Sequence, residues 1–408
     1  MRKPAGRGAI VFVLITIVLD MLAIGIIVPV LAPLVGTFFP GDSHEGVHAF
    51  GIALTVWAAT QFFAAPILGA LSDRFGRRPV ILVSIAGLGL SFLGTALATS
   101  FAWFLASRMI SGATAGAVAA ANAYIADVTP PAERARAFGW LGAAFSAGFT
   151  LGPAVGGLLG AIDVRLPFYV AAALCLGNAA YGFFMLPESL KPSLRREFSW
   201  RRANPIGVMG VFRGQPALLG LLPVYACFAL AQNVFPVSFV LYATHRYGFD
   251  SAMVGLTMAA SSLLGIVSQL LIVPRAVARL HEERALAVSL TGGAVGFVCY
   301  ALAPSAVWFW AAMPILTISS LFMPSIQSLM TRSVTPDAQG RMQGGLASLM
   351  SIANVLAPSF YTAVFAWGVG REQAGDGIFA GAPFFAAAAI LSVALALTLR
   401  ALWKKPAR

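Results

Sequence analysis

The sequence predicts an all-α membrane protein whose twelve transmembrane helices form two pseudo-symmetric six-helix bundles. Three observations lead there: long apolar blocks divided by short polar turns, a one-sided distribution of basic residues, and a short motif that recurs half a chain later. Of 408 residues, 59% are hydrophobic and only 10% are charged, against about 25% charged in an ordinary globular protein. A water-soluble fold of this composition would expose far more apolar surface than water tolerates.

The apolar blocks are about twenty residues long, the length that crosses ~30 Å of hydrocarbon at 1.5 Å per residue. They fall at 9–35, 48–71, 80–99, 101–126, 136–160 and 166–186, then at 217–243, 250–273, 283–303, 306–331, 340–368 and 378–402. They are continuously apolar, whereas barrel strands alternate over about ten residues, so helices are predicted. The opening "MRKPAGRG" and its apolar run resemble a signal peptide only at first. The run outlasts the 7–15 residues of a signal core and lacks an A-x-A site, so it reads as a retained first span.

The formal charge of +12 invites a nucleic-acid reading, which its placement excludes. Of 27 Lys and Arg, 23 fall on one side: the N-terminus, the even-numbered turns, the mid-chain linker and the C-terminus. Arg165, Arg246 and Arg371 fall on the other side and Arg108 within the fourth span. The positive-inside rule makes the rich side cytoplasmic, with both termini inside. Cys175, Cys227 and Cys299 lie in different spans without metal-ligand spacing and read as packing residues. No cofactor, metal or nucleic-acid partner is expected; the expected partners are the lipid bilayer, protons and a lipophilic small molecule, for a monomer.

The stretch "PESLKPSLRREFSWRRANP" from Pro187 carries five basic residues between the sixth and seventh spans. It divides the chain into an N-terminal bundle at 1–186, a cytoplasmic linker at 187–216 and a C-terminal bundle at 217–408. A repeat supports the division: "VTPPAERARAFG" from Val128 and "VTPDAQGRMQGG" from Val334 share Val-Thr-Pro at the same turn of each half, and Gly139 and Gly345 keep the offset. Duplicated halves related by an axis along the membrane normal are a transporter architecture with its site at the midplane.

The turn between the second and third spans reads "GALSDRFGRR". Gly69 suits close helix approach and Gly76 a positive φ. Asp73 is placed to accept hydrogen bonds at a helix N-terminus. Arg74, Arg77 and Arg78 are placed to pair with Asp73 or with Asp127 at the end of the fourth span, with Arg134 close by in sequence, as a cytoplasmic gate that opens during a cycle. The competing reading is plain positive-inside anchoring. The corresponding turn of the second half, "VPRAVARLHEERAL", lacks the frame, so an asymmetric gate is predicted.

This turn resembles the signature loop of the major facilitator superfamily. "LDMLAIGIIVPVLAPL", "RMISGATAGAVAAANAYIAD" and "GFTLGPAVGGLLG" are similar to the drug:proton antiporter branch, above all to tetracycline efflux pumps, most strongly over 19–160. The resemblance implies the major facilitator fold, export of a drug-like compound, and an antiporter motif at Gly148, Gly152, Pro153, Gly156 and Gly157. Close packing and a kink explain the same residues without export. The resemblance also implies membrane acids in the third and ninth spans and a histidine in the eighth. "LVSIAGLGLSFLGTALA", "LAVSLTGGAVGFVCYALA" and "MVGLTMAASSLLGIVSQLLIV" hold none of them. That departure points away from tetracycline itself and places the coupling on what remains.

What remains is Asp20. Fourteen of the fifteen acids sit in loops or near helix ends, while Asp20 is eleven residues into its span, about 16 Å deep. A charge there costs at least ~2.5 kcal/mol, so such an acid is a functional candidate: it takes up and releases a proton as water reaches it, or it is a structural acid satisfied by nearby donors. Arg108 requires an acceptor; Asp20 and the carbonyls near Gly25 and Pro29 compete. Trp57, Gln61, Phe228, Gln232, Asn233, Phe235 and Asn354 offer apolar surface and uncharged hydrogen-bonding groups at mid-depth, suited to an amphiphilic substrate, and equally to interhelical packing. An uptake carrier for a small metabolite is the alternative function. A membrane enzyme or receptor lacks any supporting motif, and without a nucleotide motif ATP is not the direct energy source.

Overall fold

The computed structural model describes residues 7–198, 200, 220–332, 334, 339–371 and 378–403. Residues 199 and 201–216 of the 187–216 linker, residues 217–219 of the 217–243 span and the Thr335-Pro336 of the repeat lie outside them. Every regular element among the described residues is helical. The first half comprises α1 (Arg7–Gly36), α2 (Ser43–Phe75), α3 (Arg77–Ala96), α4 (Phe101–Ala113), α5 (Ala117–Val128), α6 (Arg134–Ile162) and α7 (Leu166–Met185). The second comprises α8 (Leu222–Gln232), α9 (Val234–Tyr247), α10 (Ser251–Val267), α11 (Val273–Leu302), α12 (Ala306–Leu316), α13 (Phe322–Thr331), α14 (Gln339–Gly370) and α15 (Ala382–Trp403).

Local chemistry sets the ends. Asp42 caps α2 by accepting the Glu45 N–H at 2.9 Å, Ser100 caps α4 through the Trp103 N–H, and Gly248 ends α9 in the left-handed region. Eleven described stretches are long and apolar enough to cross a membrane, and Ser251–Leu302, at 52 residues, would extend about 78 Å. That is two crossings. His281, at φ 58 and ψ 161, kinks the chain between them, which gives the twelve spans of the sequence reading.

The structure departs from that reading within the spans. The fourth breaks between α4 and α5, the seventh at Asn233, and the tenth over the 3-10 turn Thr317–Leu321. Each break has a side chain bonding back to its own helix: Thr114 Oγ1 donates to Ile110 O, Asn233 Nδ2 to Ala229 O and Thr317 Oγ1 to Pro314 O. These bonds compete with the regular ladder. Between α10 and α11 the eighth span opens into a π turn at Ser268–Ile272.

Two compact units emerge: Met1–Gly207 with Asp250–Ala259, and Val208–Phe249 with Ala260–Arg408. In the first, α1 lies against α6 and α7, α3 against α7, and α2 against α4. In the second, α11 and α8 pack on α15 around aromatic rings. Phe228 stacks on Phe322 with centroids 3.6 Å apart, and Tyr300 on Phe309 at 4.1 Å. Large apolar side chains such as Ile162, Phe183 and Phe184 are exposed, as lipid contact requires.

Candidate functional site

The charged turn is held by residues of the first unit. Arg77 Nη1 donates to Asp73 Oδ1 at 2.6 Å and to Ser72 Oγ at 3.1 Å, while its Nε donates to Asp127 Oδ2 at 3.1 Å. Ser189 Oγ donates to the same Asp127 oxygen. Arg134 donates to the Ala126 and Thr129 carbonyls and so caps the C-terminus of α5. Arg74 is exposed and its guanidinium lies over the neighbouring Phe75 ring. The cluster thus brings together Asp73, Arg77 and Asp127, and leaves Arg74 and Arg134 to other contacts.

The carboxylate at the N-terminus of α3 is not the one the sequence suggests. Glu188, from the start of the linker, accepts the backbone N–H groups of Arg77 at 2.8 Å, Arg78 at 3.2 Å and its own neighbour Leu190 at 3.0 Å. Asp73, in the last turn of α2, faces Arg77 instead. Gly76 has φ +113, and a Cβ there would fall on the Glu188 carboxyl. That glycine supplies the backbone conformation and also the space for the cap. A Cβ on Gly69, by contrast, meets nothing within 4 Å, so close approach does not explain it here. The signal for Glu188 in the sequence was only its place in "PES" directly after a span.

The second half holds an ion pair of its own. Arg332, closing α13, pairs with Glu282 beside the His281 kink, and Ser328 Oγ donates to the same Glu282 oxygen at 3.1 Å. Glu282 and Arg332 are 50 residues apart, as are Arg77 and Asp127. The second half therefore holds an ion pair at the same spacing with its signs exchanged, one residue off the repeat of Val128 and Val334, and a motif of fixed residue types does not reveal it.

Asp20 and Arg108 are each 3% exposed. Asp20 Oδ1 has no hydrogen-bond partner. One turn before it on α1, Thr16 Oγ1 donates to Asn178 Oδ1 on α7 at 3.3 Å, and Asn178 Nδ2 is likewise unpartnered. Arg108 has other company: its Nη2 donates to Thr95 Oγ1 at 3.1 Å, and its guanidinium carbon lies 5.8 and 5.7 Å from the ring centroids of Phe92 and Phe104. No ion pair among the described residues joins it to Asp20. Depth alone suggested that pairing, and the rotation of α4 sends the side chain to α3.

The small residues of α6 divide between two faces. A Cβ on Gly152 would lie 2.6 Å from the Cα of Gly25, one on Gly148 2.5 Å from the Val18 carbonyl oxygen, and one on Gly156 would fall on the Ile26 carbonyl. These three face α1. Gly157 faces Ser251 and Gly255 of α10, and a Cβ on Gly255 would fall on the Pro153 carbonyl. Backbones touch on both sides.

Of the substrate candidates, Asn233 Nδ2 donates to Asn354 Oδ1 at 3.0 Å in the second unit, and Gln232 immediately precedes it. Phe228, 4% exposed, is occupied by its stack on Phe322, and Phe235 stacks on Phe239. In the first unit Trp57 and Gln61 are half-buried on α2, where Gly112 of α4 touches their backbone.

The model of the Major Facilitator Superfamily matches residues 13–358. The chain belongs to the Major Facilitator Superfamily. The facilitator chain is 34% identical over 403 residues to the tetracycline resistance protein, class C, of Escherichia coli, covering 98% of both chains. It is 33% identical to the class G protein of Vibrio anguillarum, covering 88% of this chain and 91% of that one. The likeness therefore runs far beyond residues 19–160. Among solved structures, the crystal structure of the human organic anion transporter MFSD10 (TETRAN) superposes with a TM-score of 0.69 at 24% identity, covering 97% of this chain and all of that one. This facilitator is a multi-pass membrane protein.

Proposed function

We propose that the protein exports a lipophilic or amphiphilic, antibiotic-like compound in exchange for protons by alternating access, from a bacterial inner membrane with both termini cytoplasmic. Asp20 carries the reading. It is the deep acid of the sequence, it is enclosed, and one of its oxygens is without a partner. Kinship with tetracycline resistance proteins supports a drug-like cargo. The absent acids and histidine of the third, ninth and eighth spans support one other than tetracycline.

Protonation neutralises Asp20 and makes its enclosure inexpensive; release follows when water reaches it. The gate residues Asp73, Arg77 and Asp127 bias which side is open, and the two bundles at 1–186 and 217–408 alternate through the linker. Gln61, Asn233 and Asn354 supply uncharged hydrogen bonds to the cargo.

A growth-protection screen first finds a transported compound. That compound is then added to inside-out vesicles with an acid lumen. Wild type releases protons as the compound enters, and Asp20→Asn, at equal expression, does not. Undiminished proton release in the variant overturns the assignment of Asp20, and release only when substrate leaves the lumen identifies an uptake carrier instead.

A further inference from the structure

A cavity of about 450 Å³ opens where α2 ends, α3 begins and the linker leaves α7. Its walls are of two kinds. Leu82 and Val83 lie one turn deeper along α3 than Arg78, and Phe183 of α7 and Phe75 of α2 complete an apolar side. Phe75, Val83 and Phe183 are all exposed, so this side faces hydrocarbon. At the shallow end are Arg78 and Arg195.

The charges there are unevenly committed. Glu188 also lines the cavity, but its carboxylate already accepts three backbone N–H groups. Arg78 Nη2 donates to the Phe183 carbonyl and its guanidinium lies over the Phe183 ring, while its buried Nε has no partner. A guanidinium carries five N–H donors, so Arg78 retains donors for a further acceptor. Neither Arg78 nor Arg195 is in an ion pair among the described residues.

The linker itself is fastened over this place. The Arg196 N–H donates to the Asp73 carbonyl at 3.1 Å, and Phe198 meets Trp200 edge-on with centroids 5.0 Å apart. Basic and aromatic side chains alternating beside a span end form the composition of a membrane interface.

We propose that the cavity binds one anionic phospholipid, its phosphate between Arg78 and Arg195 and an acyl chain along Leu82, Val83 and Phe183. Arginine matches phosphate with paired N–H donors, and the apolar wall continues into the bilayer just below. The occupant ties the α2–α3 turn to the linker, independently of which cargo the protein carries.

The test is native mass spectrometry of the delipidated full chain titrated with phosphatidylglycerol or with phosphatidylcholine of the same acyl chains, and with glycerol 3-phosphate as the headgroup alone. Wild type retains one phosphatidylglycerol in preference to phosphatidylcholine. Arg195→Gln, on the exposed linker, and Arg78→Gln each weaken that retention about fivefold, and Val83→Glu removes it. Equal retention of the two lipids overturns the proposal. So does unchanged retention in Arg195→Gln, or binding of glycerol 3-phosphate as tight as that of the lipid, which makes this a simple anion site. Should Arg78→Gln fail to fold, Arg195→Gln and Val83→Glu decide the matter.

Discussion

Arg77 donates through Nε to Asp127 at 3.1 Å, fifty residues further along the chain, and Glu282 with Arg332 repeats that spacing with the charges exchanged. The Arg77 and Asp127 side chains are 12% and 25% exposed, whereas Arg332 is 69% exposed. Exposed pairs contribute about 0.2–1 kcal/mol. Double-mutant cycles on thermal unfolding in detergent are expected to give Glu282 and Arg332 a coupling within that range, and Arg77 and Asp127 a larger one. Exchanging the residues of the second pair, Glu282→Arg with Arg332→Glu, restores what either single change loses. Equal couplings for the two pairs would contradict the burial argument.

Gly76 and Gly69 belong to one motif but answer to different physics. Gly76→Ala forces a side chain into φ +113 and onto Glu188, and lowers stability by more than about 1 kcal/mol. Gly69→Ala has open space within α2, gains helix propensity and leaves the unfolding midpoint equal to or slightly above wild type. Glu188→Ala removes the cap of α3 and costs about 1 kcal/mol. In the double variant the Gly76 effect shrinks, since part of the collision is gone. A midpoint for Gly76→Ala equal to wild type is the result that refutes this account.

On α6 a methyl at Gly156 meets the Ile26 carbonyl, and one at Gly142 meets nothing within 4 Å. Gly156→Ala therefore separates α6 from α1 at a cost of about 1–3 kcal/mol, read as lower folded yield and midpoint. Gly142→Ala gains helix propensity and is neutral or slightly stabilising. Parallel melting curves of the two variants check the contrast.

Arg108 lies near two rings and donates to Thr95. Lysine cannot reproduce a planar fork, so Arg108→Lys lowers the unfolding midpoint. Arg108→Met removes a buried charge that has no ion-pair partner among the described residues, and leaves the midpoint at or above that of wild type. If Arg108 also serves coupling, the methionine variant folds yet loses substrate-driven proton release. Full transport by that variant assigns Arg108 to structure alone.

The spans were legible because a bilayer imposes length and apolarity on any segment that crosses it. The turn "GALSDRFGRR" was legible for a related reason: charge gathered between two such segments has few places to go. Glu188 was not, because the amides it caps are 111 and 110 residues away in sequence and no local pattern encodes that distance. The helix breaks at Thr114, Asn233 and Thr317 were hidden within continuous apolar runs, since one hydroxyl or amide hardly alters hydropathy. Arg108 shows the same limit in another form. Spacing along a helix gives depth, but the partner is set by rotation about the axis, which a single span does not reveal. Glu282 and Arg332 were not legible because the motif is one of residue types, whereas this pair keeps only the fifty-residue spacing, exchanges sign and sits one residue off the repeat of Val128 and Val334.

Asp250–Ala259 belongs to the first compact unit although it follows the second unit's first helices in sequence. A gene cut at the linker would thus yield an amino-terminal fragment missing the piece that covers Gly157 and Pro153, with bare backbone along one side of α6. Cover along that side of α6 then depends on Asp250–Ala259, which such a cut leaves on the carboxy-terminal fragment.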